Sequence, residues 1–278
     1  MTIVVIGGNG LIGSRLLAQL RQRGHAAVGA DLKAGNDPSA KRVDALTGEG
    51  LPEALQGARV VVDLSNAPAW QYEVSAAWHD AAALDFFRTS SRRILEAAGA
   101  AGVQHHIALS IVGADRLPEI GYYRAKAAQE DIVRSARIPY TIVRSTEAFE
   151  FIGRIAHAHT EGHNVRVPPV STRPVAADDV ATVLAEIAER PPANATIELG
   201  GPEQIRLDAL TLRVLRAQHD PHHVLADADA RYFGAKLSDD SLIPGGGSRL
   251  APTRLQEWLD ATTRRQSRTR EQQWLTSA

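Results

Sequence analysis

The sequence predicts an α/β fold built on a doubly wound parallel sheet, and two observations carry that prediction. Strand-like and helix-like segments alternate along residues 1–147, as expected when each crossover helix covers one face of a parallel sheet. Beyond that point the alternation fades and proline- and glycine-rich loops become frequent. We therefore expect a first domain over 1–147, a smaller mixed α/β lobe over 148–262 that forms one structural unit with it, and a tail over 263–278.

The N-terminal segment is the most informative. Thr2–Ile6 is an apolar run, the sequence GGNGLIG follows it, and Leu11–Arg23 carries apolar residues at helical spacing. In this context Gly7 permits a sharp turn, Gly10 lets backbone N–H groups approach phosphate oxygens, and Gly13 lets the helix pack closely on the sheet. The N-terminus of the helix adds unpaired donors and partial positive charge. The motif predicts dinucleotide binding, with a tight structural turn as the alternative.

A carboxylate follows the second predicted strand, Ala26–Ala30. Asp31 stands at the end of that strand, where an acidic residue binds the ribose hydroxyls and repels a 2′-phosphate. Two like charges at ~4 Å and an effective dielectric near 20 cost about 4 kcal/mol, which favours NAD over NADP. Lys33 lies close enough to soften this preference, and Asp31 as an ordinary turn residue is the alternative. Asp44, after a short strand, is predicted to face adenine or to serve its own turn.

The remaining elements follow from periodicity and from glycine and proline positions. In order they are a helix within 48–57, a strand from 58 that feeds the loop SNAP, a helix at 76–101, a strand ending at 110, a helix after 121, a strand ending at 145, a helix at 147–161, a strand at 164–167, a helix at 178–189, a strand at 196–199, and helices at 207–216 and 252–262. Three aromatic residues lie beyond the fourth strand, where they would wall a substrate pocket or anchor a loop: Trp70, Tyr72 and Trp78.

Three residues form a candidate catalytic set. Tyr122 and Lys126 lie four apart on one helix, so their side chains share a face. A phenol exchanges protons poorly at neutral pH unless a cation stabilises the phenolate, and Lys126 is expected to supply that charge. With that charge nearby, Tyr122 is expected to exchange a proton with a substrate oxygen. Ser110 ends the preceding strand and is expected to hydrogen-bond the same oxygen. The alternative is that Tyr122 packs against the sheet while Lys126 is solvated.

These residues resemble the atypical short-chain dehydrogenase/reductase group, in particular NmrA-like NAD(P)-binding proteins. The resemblance covers most of the chain and rests on GGNGLIG, Asp31, SNAP, Ser110, YYRAK, YTIVRSTEAFEF and RPVAADDVA. It implies a Rossmann-like fold, a YxxxK pair at Tyr122 and Lys126 with Lys126 also binding the nicotinamide ribose, and Thr146 at the nicotinamide end. The predicted cofactor contacts are Gly7, Asn9, Gly10, Leu11, Ile12, Gly13, Asp31, Lys33, Asp44, Ala45, Ser65, Asn66, Ala67, Lys126 and Thr146.

Composition narrows the function classes. Basic and acidic side chains number 31 and 32, for a net charge of −1, so neither a polyanionic partner nor direct nucleic-acid binding is expected. The absence of cysteine excludes disulfides and thiolate chemistry. His157, His159 and His163 cluster, and His159 with His163 has the i, i+4 spacing of a metal-binding pair, but without a third ligand nearby in sequence no metal is expected. We expect a cytoplasmic monomer or homodimer that does not contact membranes.

The sequence therefore predicts an NAD(P)-dependent oxidoreductase, with NAD the favoured cofactor and NADP possible. The expected substrate is a small carbonyl, quinone or alcohol, with Tyr122 as acid or base. Two alternatives stay open at this point. One is a non-catalytic NmrA-like redox sensor that acts through a protein partner, and the other is isomerase or lyase chemistry with tightly held NAD.

Overall fold

The structure, a computed structural model, describes residues 1–33, 35, 37–67 and 76–264. For residues 76–80 it describes the backbone alone, so the predictions for Trp70, Tyr72 and the Trp78 side chain lie outside the described residues, as does the tail from 265 onward. Among the described residues, no helix combines the length and the apolar character needed to cross a bilayer.

Strands and helices alternate through the first half of the chain. The strands are β1 (Thr2–Ile6), β2 (Ala26–Asp31), β3 (Lys41–Arg42), β4 (Val60–Asp63), β5 (His105–Ile111), β6 (Tyr140–Ser145), β7 (Thr160–Glu161), β8 (Asn164–Val167), β9 (Ser171–Thr172), β10 (Ala195–Gly200), β11 (Ile205–Arg206), β12 (His223–Ala226) and β13 (Arg249–Leu250). The helices are α1 (Leu11–Gln22), α2 (Leu51–Leu55), α3 (Ala76–Ala100), α4 (Gly121–Ser135), α5 (Ile152–Ala158), α6 (Ala177–Ala188) and α7 (Leu207–Ala217), followed by a helical stretch over 255–264.

The central sheet is parallel throughout, in the order β13-β10-β6-β5-β4-β1-β2-β3. Helices α1 and α6 cover one face and α2, α3 and α4 cover the other. Successive side chains of β1 alternate between these two cores, which explains why the strand is apolar at almost every position. The predicted Rossmann-like, doubly wound fold is confirmed.

The lobe after residue 147 is only partly separate from the sheet. Strand β10 pairs with β6, β13 pairs with β10, and α6 packs against α1, so the chain returns to the first layer after leaving it. The predicted boundary between residues 147 and 148 thus separates β6 from β10, although the two strands pair in one sheet. The remainder forms a third core around α5, α7 and the small sheet β12-β8-β7.

Element bounds differ from the predictions where short polar segments pair across long sequence distances. The helix predicted for 147–161 is a 3₁₀ turn at Phe149–Phe151 followed by α5, and Thr160–Glu161 is a strand paired with β8. Strands β9, β11, β12 and β13 carry too few alternating residues to show a strand period, so the sequence did not reveal them.

Candidate cofactor-binding and catalytic site

The predicted site residues gather at one edge of the sheet. Because all strands of the sheet run parallel, the residues that follow β1, β2, β4, β5 and β6 emerge at the same side. The glycine loop follows β1, and Asp31, Ser65, Ser110 and Thr146 lie at or just beyond the other strand ends. The edge therefore collects phosphate, ribose and catalytic candidates from separate parts of the chain.

The glycine loop has the geometry of a phosphate cradle. Gly7 has a left-handed φ of +78°, and a Cβ there would lie 2.8 Å from the carbonyl oxygen of Leu64. A Cβ on Gly13 would lie 2.2 Å from the carbonyl oxygen of Gly7, so only glycine permits this approach. Helix α1 has no side-chain cap and no acidic residue in its first turn. The N–H groups of Leu11, Ile12 and Gly13 have no carbonyl acceptor within the helix and are available to phosphate oxygens.

Asp31 is held in place by the backbone. Its two carboxylate oxygens accept the N–H groups of Asn9 at 3.1 Å and Leu32 at 2.8 Å. The Asn9 amide in turn donates to the carbonyl of Lys33 at 2.6 Å, which ties the glycine loop to the loop after β2. A carboxylate offers about four acceptor positions, so two remain for a ribose diol.

Asp44 serves its own turn. Its Oδ1 accepts the backbone N–H groups of Leu46 at 2.8 Å and Thr47 at 3.3 Å, which is the turn alternative that the sequence left open. Ala45 packs partly buried against the core under α2 and α3. Contacts of Asp44 and Ala45 with adenine stay predictions.

The loop after β4 holds an orphaned polar atom. The N–H of Ser65 donates to Asp63 at 2.9 Å, and the N–H of Ala67 donates to Asn66 Oδ1 at 2.9 Å. The Ser65 hydroxyl is buried and has no hydrogen-bond partner among the residues that the structure describes. A buried polar group of this kind carries an energetic cost, which makes the loop suited to receive a polar ligand.

Tyr122 lies half-buried between α3 and the loop after β4. Its ring meets the Phe87 ring edge-on, with centroids 5.9 Å apart, and its hydroxyl hydrogen-bonds with the Asn66 side chain. Burial raises the pKa of Tyr122 well above its ordinary value, while the Asn66 contact opposes the shift. The phenol is therefore protonated at neutral pH and suited to donate a proton.

Lys126 is buried, contrary to the solvated alternative. Its Nζ donates to Gln129 Oε1 and lies 4.4 Å from the centroid of the Phe87 ring. The Gln129 amide donates to Asp63 at 3.0 Å. Burial lowers the pKa of Lys126 to about 8, although the negative charges of Asp63 and Glu130 oppose the shift. The expected stabilisation of the Tyr122 phenolate by Lys126 stays a prediction.

Ser110 donates its hydroxyl to Glu130 at 2.6 Å. Glu130 is also bound by Arg144, through Nε at 2.8 Å and Nη2 at 2.7 Å, and by Arg134 at 2.6 Å. A hydroxyl has a single proton, so Ser110 donates to a substrate oxygen only after it leaves Glu130. Its catalytic role stays a prediction.

The last predicted cofactor contact, Thr146, is buried. Its hydroxyl donates to the carbonyl of Arg173 at 2.6 Å and its N–H donates to the carbonyl of Leu199 at 2.9 Å, so both of its own donors are used within the fold. The next residue, Glu147, accepts a hydrogen bond from Tyr123.

Comparison with known protein families shows the family of this chain. The chain matches the NAD(P)H-binding family over residues 7–191, which is more than half its length. The chain belongs to the NAD(P)H-binding family. The expected NAD(P) cofactor and the resemblance to NAD(P)-binding proteins are thereby confirmed. No curated protein matches the chain in sequence.

Solved structures share the fold of this family member at low sequence identity. A short-chain dehydrogenase/reductase superfamily protein from Agrobacterium tumefaciens with bound NAD has a TM-score of 0.70 and 19% identity, covering 98% of this chain and 100% of that one. MoeE5 in complex with UDP-glucose and NAD has a TM-score of 0.71 and 20% identity, covering 97% and 99%. The Escherichia coli NADPH-dependent quinone oxidoreductase QOR2 has a TM-score of 0.63 and 19% identity, covering 81% and 77%.

Several residues of the site were not predicted from the sequence. Gln129 and Glu130 lie three and four positions after Lys126, so helical spacing alone places them beside it. Asp63 ends a buried strand, which is a signal comparable to that of Asp31. Nothing in the local sequence indicates that Arg144, on another strand, completes this group.

Proposed function

We propose that this protein is an NAD(P)-dependent oxidoreductase that interconverts a small carbonyl or quinone and the corresponding alcohol. The observation that carries the proposal is the position of Tyr122. Its protonated, half-buried hydroxyl contacts Asn66 in the loop after β4, at the sheet edge where the glycine cradle presents its donors. A proton donor beside a dinucleotide site is what carbonyl reduction requires.

The cradle fits NAD(P) on its own geometry. The N-terminus of α1 would receive the pyrophosphate through the N–H groups of Leu11, Ile12 and Gly13, and Asp31 would accept hydrogen bonds from the adenosine ribose hydroxyls. The negative charge of Asp31 favours NAD, because a 2′-phosphate would meet a like charge. When bound, the cofactor supplies or accepts a hydride.

In the reduction direction, Tyr122 would donate its proton to the carbonyl oxygen of the substrate while the carbonyl carbon is reduced. The C=O π bond is replaced by one C–H and one O–H bond, and solvent reprotonates the phenolate. The amide of Asn66 stays next to the phenolate oxygen and stabilises its charge. Lys126 uses one of its three N–H donors on Gln129, and the others are available to the nicotinamide ribose.

Replacement of Tyr122 by Phe tests the proposal. Y122F removes only the hydroxyl, so we expect kcat to fall at least 100-fold while NADH affinity by isothermal titration changes less than twofold. Tyr123→Phe is the matched control, because Tyr123 is the neighbouring phenol and its hydroxyl donates to Glu147. A Y122F variant with wild-type kcat, or a Y123F variant with the larger loss of kcat, would refute the assignment.

The redox sensor is the second candidate, and one observation favours it. The Ser110 hydroxyl is held by Glu130, and a protein that only binds dinucleotide has no need to release it. The two functions differ in a direct assay. A sensor binds NADH with ordinary affinity but oxidises it with none of a panel of aldehydes, ketones and quinones, and Y122F leaves its behaviour unchanged.

A further inference from the structure

Glu147 is a half-buried carboxylate that has no counter-ion among the described residues. It follows Thr146 beyond the end of β6, and its Oε1 accepts the hydroxyls of Tyr123 at 2.9 Å and Tyr232 at 3.2 Å. It forms no ion pair with any described residue. Glu130 provides the contrast, because two arginines neutralise that carboxylate. Buried carboxylates are seldom left unpaired, since desolvating the charge is costly.

The second carboxylate oxygen of Glu147 remains available. No other described residue donates to Oε2, and this atom is not sealed from solvent. The side chain as a whole is half-buried. Burial raises the pKa of Glu147 although its own backbone N–H and both phenols oppose the shift, so these hydrogen bonds do not fully replace the lost hydration. One oxygen is thus fixed by the protein while the other is open.

The position of Glu147 connects it to the proposed catalytic residue. Tyr123 is the sequence neighbour of Tyr122, and their ring centroids lie 6.5 Å apart. Tyr122 and Ile111 also pack against the core that holds Tyr123 and Tyr232. Glu147 therefore lies in the wall of the lobe that Tyr122 borders, at the carboxyl edge of the sheet.

We propose that Glu147 is the substrate-recognition residue of this lobe, and that its Oε2 accepts a hydrogen bond from an O–H or N–H donor carried next to the reactive carbonyl of the substrate. The inference rests on the proposed function and specifies its substrate class as hydroxy- or amino-substituted carbonyl compounds. Tyr123 and Tyr232 are positioning residues, since they fix Oε1 and thereby aim Oε2. A carboxylate accepts from such donors more strongly than a neutral group does.

Binding of three isosteric ketones to the NAD⁺-loaded protein tests the inference without turnover. Hydroxyacetone, aminoacetone and butanone differ only in a terminal hydroxyl, ammonium or methyl group. Ligand-observed NMR titration should give at least tenfold lower Kd for one or both donor ketones than for butanone. The preferred donor distinguishes hydroxyl from ammonium.

Glu147→Gln is the decisive variant. It keeps an Oε1 acceptor for both tyrosines but replaces Oε2 with an N–H donor, so we expect the preference to fall below twofold with butanone binding unchanged. Tyr232→Phe is the structural control, because it removes one hydrogen bond to Oε1 and leaves the carboxylate charge. It should lower Tm and keep most of the preference. Equal affinity of the wild type for all three ketones, including no measurable binding, or a preference that survives in E147Q, overturns the inference. Failure of the proposed function appears separately, as absent turnover or an unaffected Y122F variant.

Discussion

Replacement of Glu130 by Gln is the sharpest test of how the sheet and α4 are held together. Glu130 is 1% exposed and accepts hydrogen bonds from Ser110, Arg144 and Arg134. The variant removes the charge but keeps the shape, and it turns an amide N–H₂ toward donors on Arg144. Breaking a buried ion pair by removing one partner costs about 3–5 kcal/mol.

The lower end of that range applies here. Arg144 keeps a second carboxylate, because its Nη1 lies 2.7 Å from Asp115, whose side chain is half exposed. We therefore expect E130Q to lower the free energy of unfolding by about 3 kcal/mol, or Tm by roughly 6–12 °C for a chain of this size. Urea unfolding followed by circular dichroism gives the first quantity and calorimetry the second.

Asp131→Asn supplies the control. Asp131 is the next residue of α4 and pairs with Arg134 at 3.1 Å, but its side chain is exposed, so the loss should stay below about 1 kcal/mol. A second check uses pH. Burial raises the pKa of Glu130, but the hydrogen bonds from Arg144 and Ser110 together have the larger effect and hold the pKa below its usual range. The Glu130–Arg144 pair thus contributes fully to the free energy of unfolding at pH values above the pKa that Glu130 has in the unfolded chain. This contribution is lost as the pH falls through the pKa of Glu130 in the folded protein. Equal destabilisation by E130Q and D131N would refute the reasoning.

Three further predictions concern the cradle, cofactor choice and acid stability. Gly13→Ala should weaken NADH binding at least tenfold in isothermal titration, because its Cβ would lie 2.2 Å from a carbonyl oxygen, whereas Gly99→Ala, whose Cβ meets only a side-chain carbon at 3.9 Å, should leave it unchanged. Asp31→Asn should raise the NADP-to-NAD affinity ratio about tenfold, and an unchanged ratio would remove Asp31 from cofactor selection. Burial lowers the pKa of His105 to about 4 and also lowers that of His106. The neutral histidines therefore contribute fully to the free energy of unfolding above pH 6.5, the ordinary histidine pKa. This contribution is lost as the pH falls below that value. Urea unfolding at pH 7.5 and 5 should show this loss, and a flat profile would contradict it.

The sequence by itself determined the parts that depend on neighbours along the chain. The apolar run of β1, the glycine turn and the helical spacing of α1 are local patterns, and the structure places all three as predicted. The spacing of Tyr122 and Lys126 likewise fixed their common helix. Steric rules for glycine and the period of a helix act over a few residues, so reading them requires no knowledge of the fold.

Tertiary structure alone decided which donors meet which acceptors. Ser110 reaches Glu130, 20 residues away, and Lys126 donates to Gln129. Glu147 and Tyr232 meet across 85 positions, and β10 returns to pair with β6. Each polar side chain had several possible partners, and the buried hydrogen bond that forms depends on which strands and helices pack together. Competition of this kind is settled by the packing of the whole chain, which no local pattern encodes.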